Sequence, residues 1–376
     1  MSQFIFSADG HIVEPPDLLT AGLPKDLQQY GMHAEKDGEH MLMKAGDKVI
    51  SKMRLNKPPE QEFRDENGDS FSRSNRKGVR DLPGRLEDME HEGIDAEIVF
   101  PSAGMFIPLI EHPEAELASC QLYNDWNHEF LGGDLERFVR CGVLPVHDFG
   151  NTVSEIERLA GMGFTAAMLP SLIEASAGIP LYNDAAWDPV FEAGEKHGIV
   201  FVLHTGTGRE DVRAQKGPGG AIVNYTIQMC DAQHSIMHLV AGGMLDRFPG
   251  ANVACIESGA SWLAALAERM DEVYAAHHWF VQPKLSLTPR EIIQRQVHAS
   301  FQYDRACIMA RTVTGHQALM WGADYPHHEG TFPNSRQVVA GLFEGIDITE
   351  NEKADILGRN AARLFRLQNP KLSQAA

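Results

Sequence analysis

The sequence has few cysteines and no long apolar run. Its five cysteines are odd in number and form no CxxC pair, so neither a disulfide framework nor a thiolate zinc site is expected, and buried free thiols are predicted. No stretch approaches the roughly 18 uninterrupted apolar residues of a membrane-spanning helix. The first residues also have no basic region followed by a signal-peptide core. We therefore expect no membrane association and a cytoplasmic location.

Basic residues are also scarce relative to acidic ones. The chain has 33 Lys and Arg against 52 Asp and Glu, a formal net charge of −19. Such a charge repels phosphate backbones and anionic membrane surfaces over long range. Nucleic acid is therefore not an expected partner. With 376 residues, of which 43% are hydrophobic, the chain has enough apolar material for the large core of one α/β barrel.

Eight short apolar runs recur along the chain, and helical patterns separate most of them. The runs cover residues 4–7, 96–100, 138–143, 166–169, 199–203, 253–256, 297–302 and 318–322. Strands that alternate with helices are typical of parallel βαβ units. Eight such units in a chain of this length favour an α/β fold of the (β/α)8 type, the TIM barrel.

A polar segment at about residues 31–80 interrupts this pattern after the first predicted strand. Its first half alternates enough for a β-hairpin, and its second half is rich in Gly, Ser and charged residues, which favours a loop. We interpret the segment as an insertion at the mouth of the barrel. The prediction is therefore a single domain that spans residues 1–376.

Acids and histidines directly follow four of the eight runs. The active site of a (β/α)8 barrel lies at the carboxyl ends of its strands, which makes candidates of Asp9, His11, His204, Glu257 and Asp324. Asp9 and His11 are two apart on an extended segment and can share a face. Carboxylate oxygens and neutral imidazole nitrogens suit a divalent ion such as zinc or manganese. Each residue alone could equally be a helix cap or a hydrogen-bonded structural side chain.

Five motifs in order along the chain resemble the amidohydrolase superfamily. They are the Asp9/His11 pair with its EPPD, then LHTG, ESGASWL, GADYPHHEG and ILGRNAARLF, and together they extend from Ser7 to Phe365. The branch they most resemble is the amidohydrolase-related group of aminocarboxymuconate-semialdehyde decarboxylase and the resorcylate-type decarboxylases. The resemblance implies a (β/α)8 fold, a mononuclear metal, and either hydrolysis or non-oxidative decarboxylation.

The resemblance also implies roles for particular residues. His11, His204 and Asp324 match metal-ligand positions, and Asp9 replaces the commoner first histidine of His-x-His, as in some decarboxylases of the group. Picolinate-type decarboxylases have a motif resembling HGGG at this point, and its histidine is the general base. This chain has Glu257 in place of that histidine, so Glu257 becomes the candidate for the general base. The fourth run ends in AAMLPS, without a lysine that could be carbamylated to bridge two metals. One divalent ion is expected, zinc first and manganese as the alternative.

Further residues near these motifs are candidates for substrate binding. They are Glu14, Arg209, His327 and Trp262. Glu14 could instead ligate the metal or orient His11. A guanidinium offers a planar fork to a carboxylate, so Arg85 and Arg213 join Arg209 as candidate clamps, with a solvated surface position as the alternative for each.

Two reactions and one inactive alternative are compatible with these residues. In a decarboxylase, the metal orients the substrate carboxylate, and Asp324 or Glu257 delivers a proton to the carbon that loses CO₂. In a hydrolase of an amide, ester, lactone or C–C bond, Asp324 takes the proton of a metal-bound water. The third alternative is a catalytically inactive binding barrel. The branch resembled favours decarboxylation of an aromatic or unsaturated carboxylic acid, as in aromatic catabolism, by a homodimer or larger homo-oligomer.

Overall fold

The computed structural model describes residues 3–54, 63–64, 70–71, 76–209 and 214–373. The described strands, in chain order, are β1 (Phe6–Ser7), β2 (Met32–Asp37), β3 (His40–Ala45), β4 (Lys48–Arg54), β5 (Phe63–Arg64), β6 (Ser70–Phe71), β7 (Ala96–Val99), β8 (Phe138–Val143), β9 (Ala166–Pro170), β10 (Val200–His204), β11 (Val253–Ile256), β12 (Val297–Phe301) and β13 (Leu319–Trp321). β1 and β7 to β13 form one parallel eight-stranded sheet in sequence order. The eight predicted strands are confirmed.

The eight-stranded sheet closes into a barrel between its first and last strands. The backbone N–H of Ala8 donates to the carbonyl of Trp321 over 2.9 Å, and a parallel bridge joins Gly10 to Tyr325. All five residues of β10 are buried, as expected where one face of a parallel strand packs on helices and the other fills the barrel. The predicted (β/α)8 fold is therefore confirmed.

Helices cover the outside of the barrel. They are α1 (Leu82–Glu92), α2 (Pro113–Leu131), α3 (Phe149–Gly161), α4 (Asp188–His197), α5 (Gly220–Ala241), α6 (Met244–Arg247), α7 (Trp262–His277), α8 (Pro289–Gln296), α9 (Arg305–Met309), α10 (Arg311–Thr314), α11 (Ser335–Leu342), α12 (Glu350–Ala354), α13 (Asn360–Leu364) and α14 (Pro370–Ser373). Local sequence sets several of their ends. The Asp148 carboxylate caps α3 by accepting from the N–H of Asn151, and α4 is capped at its carboxyl end by Gly198, whose φ of 65° is left-handed.

The insertion after β1 contains more strand than a hairpin. β2, β3 and β4 form a three-stranded antiparallel sheet, so the prediction of two strands was one strand short. Met32, Ala45 and Ile50 of this sheet belong to the same buried apolar cluster as Met105 and Leu109, which lie in the segment after β7. Of the second half, predicted as loop, β5 and β6 pair with each other, and most of the rest lies outside the described residues.

The cysteine prediction holds for four of the five thiols. All five are free, and Cys120, Cys141, Cys255 and Cys307 are buried. Cys230 is exposed, which corrects the expectation of a buried thiol, because it lies on the outward side of α5. Among the described helices, none combines the length and the apolar character needed to cross a membrane.

Candidate metal centre at the carboxyl ends of the barrel strands

Four of the predicted side chains meet at the mouth of the barrel. Asp9, His11, His204 and Asp324 are all fully buried, although they come from positions far apart in the chain. Oδ1 of Asp9 lies 3.5 Å from Nε2 of His11 and 3.5 Å from Nε2 of His204. Nε2 of His11 is also 3.7 Å from Oδ1 of Asp324. Strands that end at one edge of the barrel therefore bring two imidazoles and two carboxylates within reach of one point.

Backbone carbonyls fix the tautomers of both imidazoles. Nδ1 of His11 donates to the carbonyl of Pro101 over 2.9 Å, and Nδ1 of His204 donates to the carbonyl of Thr205 over 3.0 Å. In the neutral rings, Nε2 then carries a lone pair that points towards Asp9. Within the described residues, these two Nε2 atoms and Oδ1 of Asp9 have no hydrogen-bond partner. Lone pairs that face a buried carboxylate repel it unless a cation lies between them, so this donor set fits a divalent metal ion.

The ionisation of the cluster is consistent with this interpretation. Burial lowers the pKa of His11 to about 3, and the nearby His327 adds to the effect, so His11 is neutral at physiological pH. Burial alone would raise the pKa of Asp9, but its contacts with His11 and His204 outweigh burial and hold that pKa well below its usual range. Burial opposes protonation of His204, yet Asp9 raises the His204 pKa. The cluster therefore attracts positive charge, which a bound cation would supply in place of a proton.

His327 adds a third imidazole on the solvent side of the cluster. Its Nδ1 lies 2.7 Å from Oδ1 of Asp324, and its ring centroid is 4.2 Å from that of His11. One ligand atom each from His11, Asp324 and His327 lies within 4.8 Å of the others, as do those of Asp9, His11 and His204. The His327 side chain is 42% exposed, so it is accessible to a molecule that enters from the mouth.

Glu257 lies at the rim of the same cluster. Its Oε2 is 3.8 Å from Nδ1 of His204, and its side chain is 18% exposed. Its backbone N–H donates to the hydroxyl of Ser300 over 2.9 Å. Burial, reinforced by the nearby Asp324 carboxylate, raises the pKa of Glu257 well above its ordinary value. A carboxyl that keeps its proton nearer neutral pH is suited to proton transfer at the mouth.

The backbone is strained at both acidic residues of the rim. Glu257 has a φ of 56° and Asp324 a φ of 51°, in the left-handed region that non-glycine residues seldom adopt. Such conformations persist where the surrounding structure imposes them, and they cluster at functional sites. Here they turn each side chain into the barrel mouth directly after its strand.

Two of the predicted substrate contacts have partners within the protein. The carboxylate of Glu14 is buried and accepts three backbone hydrogen bonds, from the N–H groups of Ser102, Ala103 and Gly104. These contacts favour a role for Glu14 in holding the segment after β7, and not in substrate binding. Trp262 is 8% exposed, and its indole N–H donates to the carbonyl of Gly259 over 2.9 Å. This contact favours a role in anchoring the start of α7.

The candidate carboxylate clamps are also paired. Arg209 donates through Nε and Nη2 to both carboxylate oxygens of Asp231, over 2.6 and 2.5 Å. Arg85 makes the same two-point contact with Glu97, over 2.6 and 2.9 Å, in a buried ion pair. Because each guanidinium fork is occupied by an internal carboxylate, these contacts favour structural roles over substrate recognition. Arg213 lies outside the described residues.

Sequence reasoning missed two residues that support the cluster. The ring of Phe100 packs 5.9 Å from His11 and 4.9 Å from His204, measured between centroids. The amide of Gln302 donates to Oδ2 of Asp9 over 3.4 Å. Phe100 directly follows β7 and Gln302 directly follows β12, so the available signal was their position at a strand end. They were overlooked because neither is an acid or a histidine.

A parallel eight-stranded barrel with buried histidines and aspartates at the carboxyl ends of its strands defines a (β/α)8 protein with a candidate cation site at its mouth. The chain belongs to the amidohydrolase family, because the model of that family matches residues 51–367. The resemblance inferred from the ordered motifs is thereby confirmed.

Solved structures with the same fold include known decarboxylases. An amidohydrolase from Mycobacterium avium subsp. paratuberculosis K-10 has a TM-score of 0.81 and 18% identity, over 97% of this chain and 100% of that one. The 5-carboxyvanillate decarboxylase LigW from Sphingomonas paucimobilis has a TM-score of 0.71 and 20% identity, over 98% and 100%. A dihydroxybenzoic acid decarboxylase from Polaromonas sp. JS666, with bound manganese and the inhibitor 2-nitroresorcinol, has a TM-score of 0.65 and 16% identity, over 98% and 99%. At these identities the likeness establishes the fold.

Proposed function

We propose that this protein is a metal-dependent, non-oxidative decarboxylase of an aromatic or unsaturated carboxylic acid. The observation that carries the proposal is the convergence of three buried ligand atoms, Oδ1 of Asp9 and Nε2 of His11 and His204, without hydrogen-bond partners in the described part of the chain. Two of the solved structures with the same fold are decarboxylases of aromatic acids, which supports this reaction over hydrolysis.

One divalent cation would be held by Asp9, His11, His204 and Asp324. When bound, it supplies the positive charge that receives the substrate carboxylate and an adjacent oxygen. Two imidazole nitrogens and two carboxylate oxygens suit both zinc and manganese. Zinc is the ion first expected from the donor set, and manganese is the ion in the Polaromonas relative.

The chain itself supplies the proton. Glu257, at the rim, delivers it to the ring or alkene carbon that carries the carboxylate. The bond between that carbon and the carboxylate then breaks, CO₂ leaves, and the electron pair stays with the carbon, now bonded to the proton. Water reprotonates Glu257 through its exposed edge. Asp324 is the alternative donor, but its Oδ1 is engaged by His327, which favours Glu257.

Elemental analysis of the purified protein tests the metal site. Wild type is expected to hold about one divalent ion per chain, whereas His204→Ala and Asp324→Ala lose it and remain folded by circular dichroism. Glu257→Gln is the matched control, since it alters a partly exposed carboxylate beside the cluster that is not assigned as a ligand, and it should retain the ion. Activity of the metal-free protein after addition of zinc or manganese distinguishes the two ions. A folded wild type that binds neither ion would contradict the proposal.

The reaction is tested by CO₂ release from a panel of aromatic and unsaturated acids, run beside amides, esters and lactones. In D₂O the product should carry one deuterium at the carbon that lost the carboxylate. Glu257→Gln should lower kcat by about 10²- to 10⁴-fold with the metal retained, as expected for loss of a general acid. Glu344→Gln, an exposed carboxylate, is the control. Hydrolysis without CO₂ release would identify a hydrolase, and binding without turnover would identify an inactive barrel.

A further inference from the structure

Two histidines of α5 lie one turn apart on the outward side of the helix. They are His234 and His238, here called the α5 histidine pair, and their ring centroids are 4.7 Å apart. Side chains four residues apart on a helix are neighbours on its surface, with about 5–6 Å between their Cβ atoms. His234 is exposed and His238 is half-buried. A small ion in solvent can therefore reach both imidazoles.

The packing of α5 on the barrel does not use these two side chains. It involves the other side of the helix, where Ser235, Ile236 and Leu239 are buried. Within the described ranges, neither imidazole of the pair has a hydrogen bond or an ion pair, and the two rings contact each other. The one carboxylate of α5, that of Asp231, is held by Arg209. The ring nitrogens of the pair are therefore available to a ligand from solvent.

The spacing of the pair is that of a metal-binding motif. Two histidines at positions i and i+4 on one helix face bind zinc in the HExxH motif. With zinc–nitrogen bonds of about 2.0–2.1 Å, the ring centres of two imidazoles on one ion lie on the order of 5 Å apart. The observed 4.7 Å matches this separation. Burial, with a contribution from His234, lowers the pKa of His238, so this ring is neutral at physiological pH and has a lone pair for a metal.

The donor set selects the kind of ion. Imidazole nitrogen suits zinc, nickel and copper, whereas manganese, magnesium and calcium prefer carboxylate and other oxygen ligands. The candidate metal centre at the mouth includes two carboxylates and therefore suits manganese as well as zinc, but the α5 histidine pair includes none. Two protein ligands also hold an ion less firmly than the four at the mouth. An ion on α5 is therefore lost on dialysis unless the buffer contains zinc.

Cys230 is a third donor close to the pair, and it is exposed. It is four residues before His234 and eight before His238. Because a helix rises 1.5 Å per residue, Cys230 and His238 are separated by about 12 Å along the axis and cannot share one ion. The contact between the two rings favours His238 as the partner of His234.

We propose that His234 and His238 form a second metal site, which binds one zinc, nickel or copper ion on the outer surface of α5. The ion links two successive turns of the helix, and water completes its coordination. This inference goes beyond the proposed reaction and does not depend on it, because neither histidine belongs to the candidate metal centre at the mouth.

Zinc stoichiometry of the full chain tests the proposal. After equilibrium dialysis against micromolar free zinc, elemental analysis of wild type is expected to give about two ions per chain, one at the mouth and one on α5. His234→Gln and His238→Gln should each hold about one zinc, and so should His204→Ala, which loses the other site. With manganese in place of zinc, wild type and His234→Gln should both hold about one ion.

The two sites fail independently in this experiment. A wild type that holds no more zinc than His234→Gln and His238→Gln would overturn the α5 site. Zinc content that is unchanged in His204→Ala but lost in His234→Gln would contradict the mouth site and would support the α5 site.

Calorimetric titration with zinc identifies the ligands, with His204→Ala as the background. In that background, His234→Gln or His238→Gln should weaken zinc binding by about tenfold or more. Cys230→Ser is the matched control, since it removes an exposed donor of the same helix, and it should leave the dissociation constant unchanged. Circular dichroism establishes that each variant remains folded. Weaker binding in Cys230→Ser with no change in His238→Gln would overturn the assignment.

Discussion

Gly10 separates the two site residues at the end of β1 and leaves room for a buried ion pair beneath them. A Cβ at this position would lie 2.6 Å from Nη2 of Arg85 and 2.9 Å from Oε2 of Glu97. Nη1 of the same arginine donates to the carbonyl of His11 over 2.8 Å. Position 10 therefore has to be glycine, because any side chain there would collide with the ion pair of Arg85 and Glu97, which supports the backbone of His11.

Gly10→Ala should destabilise the protein, because the added methyl group displaces a buried and fully paired guanidinium. Overpacking of this kind costs about 1–3 kcal/mol, measurable by denaturant unfolding. Gly133→Ala is the control, since a Cβ there would meet nothing within 4 Å. Equal free energies of unfolding for the two variants would show that the ion pair can move aside for the methyl group without loss of stability.

Glu14→Gln distinguishes an anchoring role from substrate binding. The amide NH₂ would replace one of the two carboxylate oxygens that together accept three backbone hydrogen bonds, so the free energy of unfolding should fall by about 1–3 kcal/mol. KM should stay unchanged, because the carboxylate is occupied by the segment after β7. Thermal unfolding and steady-state kinetics are the measurements, with Glu344→Gln as the exposed control. A raised KM with unchanged stability would restore the substrate-binding interpretation.

At the scale of the elements, the sheet of β2, β3 and β4 packs against the segment that follows β7. The buried side chains of this sheet share an apolar cluster with side chains of residues 105–110. These residues come directly after the backbone groups that hold His11 and Glu14 in place. Those groups are the carbonyl of Pro101, which accepts from His11, and the N–H groups that bind Glu14. The insertion thus supports one wall of the barrel mouth.

Ile50→Ala should loosen this wall. Ile50 is 6% exposed, and truncating a buried isoleucine to alanine costs about 2–5 kcal/mol. Its neighbour Val49 is 47% exposed on the other face of β4, so Val49→Ala is the matched control and should change little. Unfolding free energy and the metal dissociation constant are the measurements. We expect Ile50→Ala to lower the free energy of unfolding and to raise the metal dissociation constant. Identical values for the two variants would show that the packing of this sheet does not affect the site.

At the scale of the whole molecule, the candidate metal centre combines residues from opposite ends of the chain. Asp9 and His11 lie near the start of the chain, His204 near its middle and Asp324 near its end. In the fold their donor atoms meet, with Oδ1 of Asp9 3.5 Å from Nε2 of both His11 and His204, and Nε2 of His11 3.7 Å from Oδ1 of Asp324. A cation at this point would therefore tie together the first, fifth and eighth strands of the barrel.

Removal of the metal should lower the stability of the entire domain. A ligand that binds the folded state at 1,000 times its dissociation constant stabilises that state by about 4 kcal/mol. Chelation followed by calorimetry should reveal a lower Tm that zinc or manganese restores. His204→Ala should have a low Tm in both conditions. If chelation left the wild-type Tm unchanged, no bound cation would contribute to the stability of the fold, and the cluster of acids and histidines would be stable without one.

The strand positions and the candidate site residues could be predicted from sequence because both depend on local pattern. A buried parallel strand needs a short run of apolar residues, and the residue that follows it lies at the mouth by topology. That rule located Asp9, His11, His204, Glu257 and Asp324. The third strand of the insertion was missed because β4, Lys48–Arg54, carries polar residues among its apolar ones, which weakens the strand pattern.

Sequence by itself determined the barrel, the family and the identity of the converging acids and histidines, because these follow from periodicity and from motifs read along the chain. The tertiary structure alone decided which polar side chains remain available to a ligand. Glu14 meets its partners 88 to 90 residues away and Arg209 meets Asp231 across 22 residues, so both are paired within the protein. Hydrogen-bond partners and exposed helix faces depend on distances in space, which spacing along the chain does not encode.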